Sequence, residues 1–141
     1  MNIALFLTPK REVVTLNHRF TIGEAMDVMS EFRYSSVPVI DRKGRFINAL
    51  SEGDILWYMN EHPALTSYEL DKINISKLKR HHNIKPVAID AHMDSLIELV
   101  ALQSFVPVVD DDNVFIGIIK RSDIIHYTVS QLKDKTKSMV S

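Results

Sequence analysis

Four groups of residues in this 141-residue chain could carry chemistry: Ser51-Glu52-Gly53-Asp54, its later counterpart Lys120-Arg121-Ser122-Asp123, the run Lys77-Leu78-Lys79-Arg80-His81-His82, and six histidines. By spacing alone, Ser51-x-x-Asp54 is a helix start. The hydroxyl takes one orphan N–H and the acid three residues on returns to another, for about 1 kcal/mol. Histidines could ligate a metal. However, His81 and His82 are adjacent and do not share a helix face, while His18, His62, His92 and His126 are scattered with no His-x-x-His or Glu-x-x-His spacing. The basic run could meet nucleic acid, but without interleaved aromatics it reads as a solvated helix end. The absence of cysteine removes thiol nucleophiles, disulfides and Cys-ligated zinc. Neither a nucleophile elbow nor a Walker-type glycine loop is present. These residues predict no metal site, no nucleic-acid surface and no enzyme.

The elements that must position these groups are duplicated. Val37-Pro38-Val39-Ile40-Asp41 returns as Val106-Pro107-Val108-Val109-Asp110, and Gly53-Asp54-Ile55-Leu56 as Ser122-Asp123-Ile124-Ile125. Phe46-Ile47 returns as Phe115-Ile116 and Tyr58 as Tyr127, all at one offset of 69 positions. Nearer the front, Leu5–Leu78, Val14–Val87 and Leu16–Ile89 keep a longer offset, so the second copy is a few residues shorter.

In copy one, Glu12 to Leu16 reads as a strand, and Thr21-Ile22-Gly23-Glu24 as a capping box. Behind the box, Ile22, Ala25, Met26, Met29 and Phe32 form one apolar helical stripe. Ser36 to Ile40 and Arg45 to Leu50 are strands joined across Asp41-Arg42-Lys43-Gly44. A second helix runs from Ser51 towards Pro63. Copy two repeats the order with strands at Pro86–Ile89, Phe105–Val109 and Val114–Ile119, and a last helix from Arg121. A short helix is expected over residues 75–79 between the copies. The unit is β-α-β-β-α, twice.

Each half has one apolar sheet face and is too small to stand alone. The expected fold is therefore α/β (α+β), with two such repeats packed sheet to sheet about a pseudo-twofold axis and clefts at their junction. The reading places repeat 1 at 1–62, a linker at 63–74, repeat 2 at 75–130 and a frayed polar tail at 131–141.

Lys+Arg 17 against Asp+Glu 18 leaves a formal net charge of -1, with 45% of the residues hydrophobic. That balance describes a globular protein without global attraction to nucleic acid or anionic membrane. Met1 to Leu7 is apolar but lacks a basic flank and is too short for a signal peptide or a membrane span. A cytoplasmic location follows by elimination.

The order of elements, with Val37-Pro38-Val39-Ile40-Asp41 and Ser51-Glu52-Gly53-Asp54-Ile55-Leu56 in the first copy and their counterparts in the second, resembles the CBS domain in tandem, the Bateman module, and most closely small stand-alone bacterial CBS pairs. The resemblance covers about Met1 to Tyr127. It implies a regulatory protein that binds an adenine nucleotide of the AMP, ADP or ATP type in the cleft between repeats. A cyclic di-AMP receptor and a ligand-free dimeric scaffold are the alternatives. The nucleotide would be a regulatory ligand; no cofactor is implied.

By that resemblance the Ser51 hydroxyl and neighbouring N–H groups meet phosphate, Asp54 takes the ribose hydroxyls, and Gly53 lets the backbone approach. Copy two keeps Asp123 but carries Lys120 in place of the serine. Lys120 with Arg121 and Ser122 either pairs a more highly phosphorylated ligand or fills the cleft. Ser35-Ser36, before Val37-Pro38, can bond phosphate, and Phe105 could line an adenine pocket. Backbone at Thr15-Leu16 and Ala88-Ile89 matches the adenine slot. The resemblance further implies a homodimer through the repeat helices, with Trp57 and Tyr58 as contacts, and an unidentified protein partner.

Overall fold

The structure, a computed structural model, describes residues 2–140. Met1 and Ser141, the outer ends of the first repeat and of the polar tail as read from sequence, lie outside the described residues. The local elements form where side chains meet nearby backbone. Helix α1 (Ile22–Phe32) opens on the capping box, with Thr21 Oγ1 accepting from Glu24 N and Glu24 Oε1 from Thr21 N, each at 3.1 Å. It buries Ile22, Ala25 and Met29 and ends at Arg33 in the left-handed conformation. Phe32, expected on the apolar stripe, is instead exposed and stacks on Tyr34.

Strands β3 (Ser36–Ile40) and β4 (Phe46–Ser51) form an antiparallel hairpin, and β2 (Leu16–Asn17) joins β3 in parallel. The expected strand over Glu12 to Leu16 shrinks because Lys10–Glu12 is drawn into a 3-10 turn. Helix α2 (Glu52–Glu61) follows, then the short α3 (Ser67–Leu70) and a 3-10 turn at Ile75–Lys77. The second repeat places β5 (Val87–Ala88), α4 (Met93–Val100), β6 (Phe105–Val109) and β7 (Phe115–Lys120) in matching order. Helix α5 (Arg121–Val140) runs on through the segment expected to fray. Polar composition there dictates exposure, and its lysines, glutamine and methionine are good helix formers.

The duplication is visible atom by atom in the hairpin turns. Asp41 Oδ1 accepts from Lys43 N and Arg45 N, and Asp110 Oδ1 from Asp112 N and Val114 N. Gly44 and Asn113, at equivalent turn positions, have φ of 80° and 64°. The two turns then meet. Phe46 N donates to Asn113 O at 3.0 Å and Phe115 N to Gly44 O at 2.8 Å, a reciprocal pair around the Arg45–Val114 bridge. Beneath it, Phe46, Val109 and Phe115 cluster with Val13, Ile40 and Ile118, and the two phenyl rings lie 6.5 Å apart. This small core joins the repeats about their pseudo-twofold axis.

A second tie runs through the connecting segments. The first strand, β1 (Leu7–Pro9), leaves its own repeat and pairs antiparallel with β7, so the sheets order as β1-β7-β6-β5 and β2-β3-β4. Ile3 is fully buried in the second repeat's core. In exchange, Leu70 of the linker and Ile75 and Leu78 of the second repeat's leading segment fill the core of the first. Each core is therefore completed by the segment that leads into the strands of the other repeat.

Gly117 makes the β1 pairing possible. A Cβ there would run into the Thr8 carbonyl oxygen and Leu7 Cδ1. Gly117→Ala should therefore push β1 off its edge and destabilise the fold by about 1–3 kcal/mol, the usual range for overpacking. Urea unfolding monitored by circular dichroism checks this; an unchanged midpoint would show that β1 adapts freely.

Candidate functional site

Ser51 and Asp54 close the second helix start of repeat 1. Ser51 Oγ accepts from Asp54 N at 3.1 Å, and Asp54 Oδ2 accepts from Ser51 N at 3.0 Å. Asp54 is only 3% exposed, and its Oδ1 accepts from His81 N at 2.9 Å. The carboxylate thus caps α2 and also fastens the approach to the second repeat. Each carboxylate oxygen can accept more than one bond, so acceptor capacity remains at Asp54.

The basic run is solvated at Lys77, Lys79, His81 and His82, as expected from sequence, but it lies mostly beyond the 3-10 turn at Ile75–Lys77 in irregular chain, and Arg80 turns inward. Its Nη1 donates to Ile75 O at 3.1 Å and Leu78 O at 2.9 Å, and its Nη2 reaches Asn48 Oδ1 at 3.4 Å. Burial lowers the Arg80 pKa from its ordinary value, and the nearby Asp54 carboxylate opposes that shift. The inward turn adds a second donor to Ile75 O, which already accepts from Leu78 N, and gives one to Leu78 O beyond the end of the 3-10 turn.

A cavity of about 340 Å³ lies against this corner. Repeat 1 contributes Ser35, Ser36, Ala49, Ser51, Glu52, Gly53 and Asp54. The wall across from them is His82, Ile84, Leu102, Gln103 and Ser104. Its size is within the range of small-molecule sites. Three serine hydroxyls of repeat 1 and the N-terminal turn of α2 converge on it, a polar and anion-compatible arrangement. No lysine or arginine is in its lining; the charged side chains there are Glu52 and Asp54. A Cβ on Gly53 would meet Ser51 Oγ and Trp57 Nε1 at 3.7 Å, ordinary contact distances. The chain's own packing therefore does not demand glycine at that point.

The cavity unites five of the residues singled out from sequence: Ser35, Ser36, Ser51, Gly53 and Asp54. The others lie elsewhere. Leu16 and Val37 are buried in the core of repeat 1, and Pro38 is buried in β3 beside Val37. Thr15 and Ala88 are half-buried, and Ile89 packs against the core of repeat 2. Phe105 is buried at the start of β6.

In copy two, Lys120 is exposed and offers no acceptor for a cap. Arg121 is committed to structure, its Nε donating to Val100 O at 2.8 Å and Gln103 O at 3.1 Å. Its guanidinium closes the end of α4. Ser122 is exposed and Asp123 half-buried in the first turn of α5.

Sequence reasoning missed the far wall. Gln103 is 5% exposed and clamps two segments: its Nε2 donates to Lys85 O and Phe105 O, and its Oε1 accepts from Lys85 N. A buried glutamine between two apolar segments was the only signal. His82, Ile84 and Leu102 carried none, because the approach of the second repeat alone brings them to the cleft.

Of the two aromatics expected at a dimer contact, Trp57 is half-exposed, whereas Tyr58 packs on the core of repeat 1 and stacks on His62 with ring centroids 4.3 Å apart. Among the described residues no group of three or more His, Cys, Asp or Glu is placed to hold a metal ion. No helix among them is long and apolar enough to cross a membrane.

Known structures share this architecture. CbpB, solved in complex with c-di-AMP, aligns with a TM-score of 0.84 and 25% identity over 98% of this chain and 91% of that one. A CBS domain protein from Streptococcus pneumoniae TIGR4 aligns with a TM-score of 0.82 and 26% identity, covering 91% of this chain and 86% of its own. By sequence, inosine-5'-monophosphate dehydrogenase of Methanocaldococcus jannaschii is 26% identical over 117 residues, 82% of this chain but 21% of that protein. An uncharacterized Mycobacterium tuberculosis protein is 28% identical over 117 residues, 31% of its length. The chain thus spans less than a third of these sequence relatives. The family model described as CBS domain matches twice, at residues 5–61 and 75–130. With the duplicated strands, turns and helix starts already described, this chain belongs to the CBS domain family as a tandem pair.

Proposed function

We propose that this chain is a non-catalytic, cytoplasmic regulatory protein that binds an adenine nucleotide in the inter-repeat cleft and passes its occupancy to a dimer partner or another protein. The observation that carries the reading is the cavity itself, where Ser35, Ser36, Ser51 and the start of α2 face the second repeat across about 340 Å³. Phosphate would lie against the hydroxyls and the α2 N-terminus, and ribose hydroxyls would donate to Asp54. Because that wall belongs to one repeat and His82, Ile84 and Gln103 to the approach of the other, a bound ligand would bias how the two sit together.

Charge narrows the ligand. With Glu52 and Asp54 in the lining and no lysine or arginine, a triphosphate would meet like charge at the entrance. A monophosphate, or a phosphodiester with a single charge on each phosphate, brings less total charge and fits better. The second reading, a cyclic dinucleotide ligand, is favoured by the likeness to CbpB in complex with c-di-AMP.

Thermal unfolding of the intact chain against AMP, ATP and cyclic di-AMP tests both readings. A true ligand at ~100 times its dissociation constant adds about 2.7 kcal/mol of stability. AMP or cyclic di-AMP should produce that shift, and ATP a smaller one. No shift with any of the three would favour the scaffold without a ligand.

A further inference from the structure

The inter-repeat cavity lies at the start of α2; another cavity, of about 640 Å³, opens at the far end of the same helix. Its walls are the last turn of α2, the chain that follows α3 and the segment about the 3-10 turn at Ile75–Lys77. The charged side chains in its lining are Lys72, Lys77 and Lys79 against one carboxylate, Glu61, with His62 beside them. Such a gathering is unusual in a chain whose formal net charge is -1. Among the described residues the one ion pair is Arg45–Asp41, and none of the three lysines donates to a carbonyl or a carboxylate. Cations near a helix C-terminus complement its dipole, but here the carbonyls of Tyr58 and Met59 accept from His62 instead. The lysines therefore have no structural task that the chain itself supplies.

Their places are nevertheless fixed. Ile75 is fully buried and Leu78 only 4% exposed, both in the core of repeat 1. Leu78 points inward between Lys77 and Lys79, which leaves both lysines exposed on the outer side. Next to them Arg80 Nη1 donates to Ile75 O and Leu78 O, and His81 N donates to Asp54 Oδ1, so the backbone is pinned on either side of Lys79. Lys72 Nζ lies 4.1 Å from the centroid of the Tyr68 ring, a cation–π contact that restrains the third lysine. His62 stacks on Tyr58 and its Nδ1 donates to Tyr58 O at 2.9 Å, leaving Nε2 without a protein partner. An anion arriving here would meet donors on an ordered backbone, which lowers the entropic cost of binding.

We infer that this cavity is an anion site, distinct from the inter-repeat cleft, for a small molecule that carries two or more linked phosphates. Lysines are compact point charges suited to phosphate, and the lining holds no arginine whose planar fork would select a carboxylate. The volume belongs to the range of small-molecule sites. The two cavities divide ligands by charge. The cleft, with Glu52 and Asp54 and no lysine or arginine, disfavours a triphosphate, whereas three lysines here attract one.

Calorimetric titration of the intact chain with sodium tripolyphosphate tests the site, run at about 0.15 M salt so that scattered surface charges are screened. Saturable binding should appear, with inorganic phosphate at least about tenfold weaker. Lys77→Glu with Lys79→Glu, checked for folding by circular dichroism, should weaken tripolyphosphate at least about tenfold. Lys72→Gln, outside the pinned segment, should weaken it about threefold and tests the site independently of that segment's fold. Lys133→Glu with Lys137→Glu makes the same change in net charge on α5 and should leave affinity within about twofold. Asp54→Asn should also leave it unchanged, so that this site stands or falls apart from the nucleotide reading of the cleft. No saturable binding at about 5 mM tripolyphosphate, beyond the weak limit of specific affinity, would overturn the site. So would an equal loss in the α5 variant, or undiminished binding in both the Lys72→Gln chain and the folded Lys77→Glu, Lys79→Glu chain. Displacement of tripolyphosphate by a lower concentration of a short polyglutamate peptide would overturn its assignment to a phosphate ligand.

Discussion

Phe115→Ala should lower the unfolding free energy by about 3–5 kcal/mol, the range for truncating a buried aromatic in a core that cannot collapse around it. Phe115 is 1% exposed and sits in a cluster whose other fully committed members are only Phe46 and Val109. Collapse is difficult because the Phe115 N–H and the Phe46 N–H are both bonded across the axis, which fixes the two backbones at their present separation. The cavity would remain as a void between the repeats. Phe46→Ala should cost nearly as much, and the double variant less than the sum, since the two rings are in contact. Urea titration measures all three. A loss below about 1 kcal/mol for Phe115→Ala, well under that range, would mean that the exchanged segments alone hold the repeats together.

Asp54→Ala should cost about 2–4 kcal/mol, because it removes the α2 cap and leaves the Ser51 and His81 N–H groups without their acceptor. It also takes away the carboxylate whose charge acts on the half-buried Arg80. Asp54→Asn keeps one carbonyl oxygen and should cost about half as much. The pair separates stability from binding. If the carboxylate accepts ribose hydroxyls, the folded Asp54→Asn chain should bind AMP or cyclic di-AMP at least about tenfold more weakly, the loss of one charge-assisted bond. Unchanged affinity in that chain, measured by calorimetry, would leave Asp54 a helix cap and hinge fastening with no ligand role.

The two expectations rest on different kinds of information in the chain. The repeat, the helix caps at Thr21 and Ser51, the turns at Asp41 and Asp110 and the three-strand order of each unit could all be read without coordinates. The repeat is a self-similarity at one offset, and the rest are contacts within four residues or periodicities of 2 or 3.6, where the neighbours in sequence are also the neighbours that matter. The Ser51–Asp54 bonds are of this kind. The tail expected to fray is exposed from Gln131 to Met139 but continues as helix α5.

Other features depended on which apolar segment meets which surface. Ile3 and Ile75 each stand in the leading segment of a repeat, yet each is buried in the core of the other repeat. Arg80 and Arg121 belong to cationic stretches that suggested solvent or phosphate, yet both turn back to backbone carbonyls at or just beyond the ends of short helices. The cavity is half built from residues with no chemical signature of their own.

The residues alone thus established a duplicated β-α-β-β-α unit with a capped, acid-bearing helix start, since short-range hydrogen bonding and side-chain period leave little choice. Folding in three dimensions chose the exchange of leading segments, the far wall of the cleft, the duty of Asp54 towards His81 and the cationic cavity at the far end of α2. Those outcomes follow from long-range burial, in which many apolar pairings are chemically equivalent and geometry selects among them.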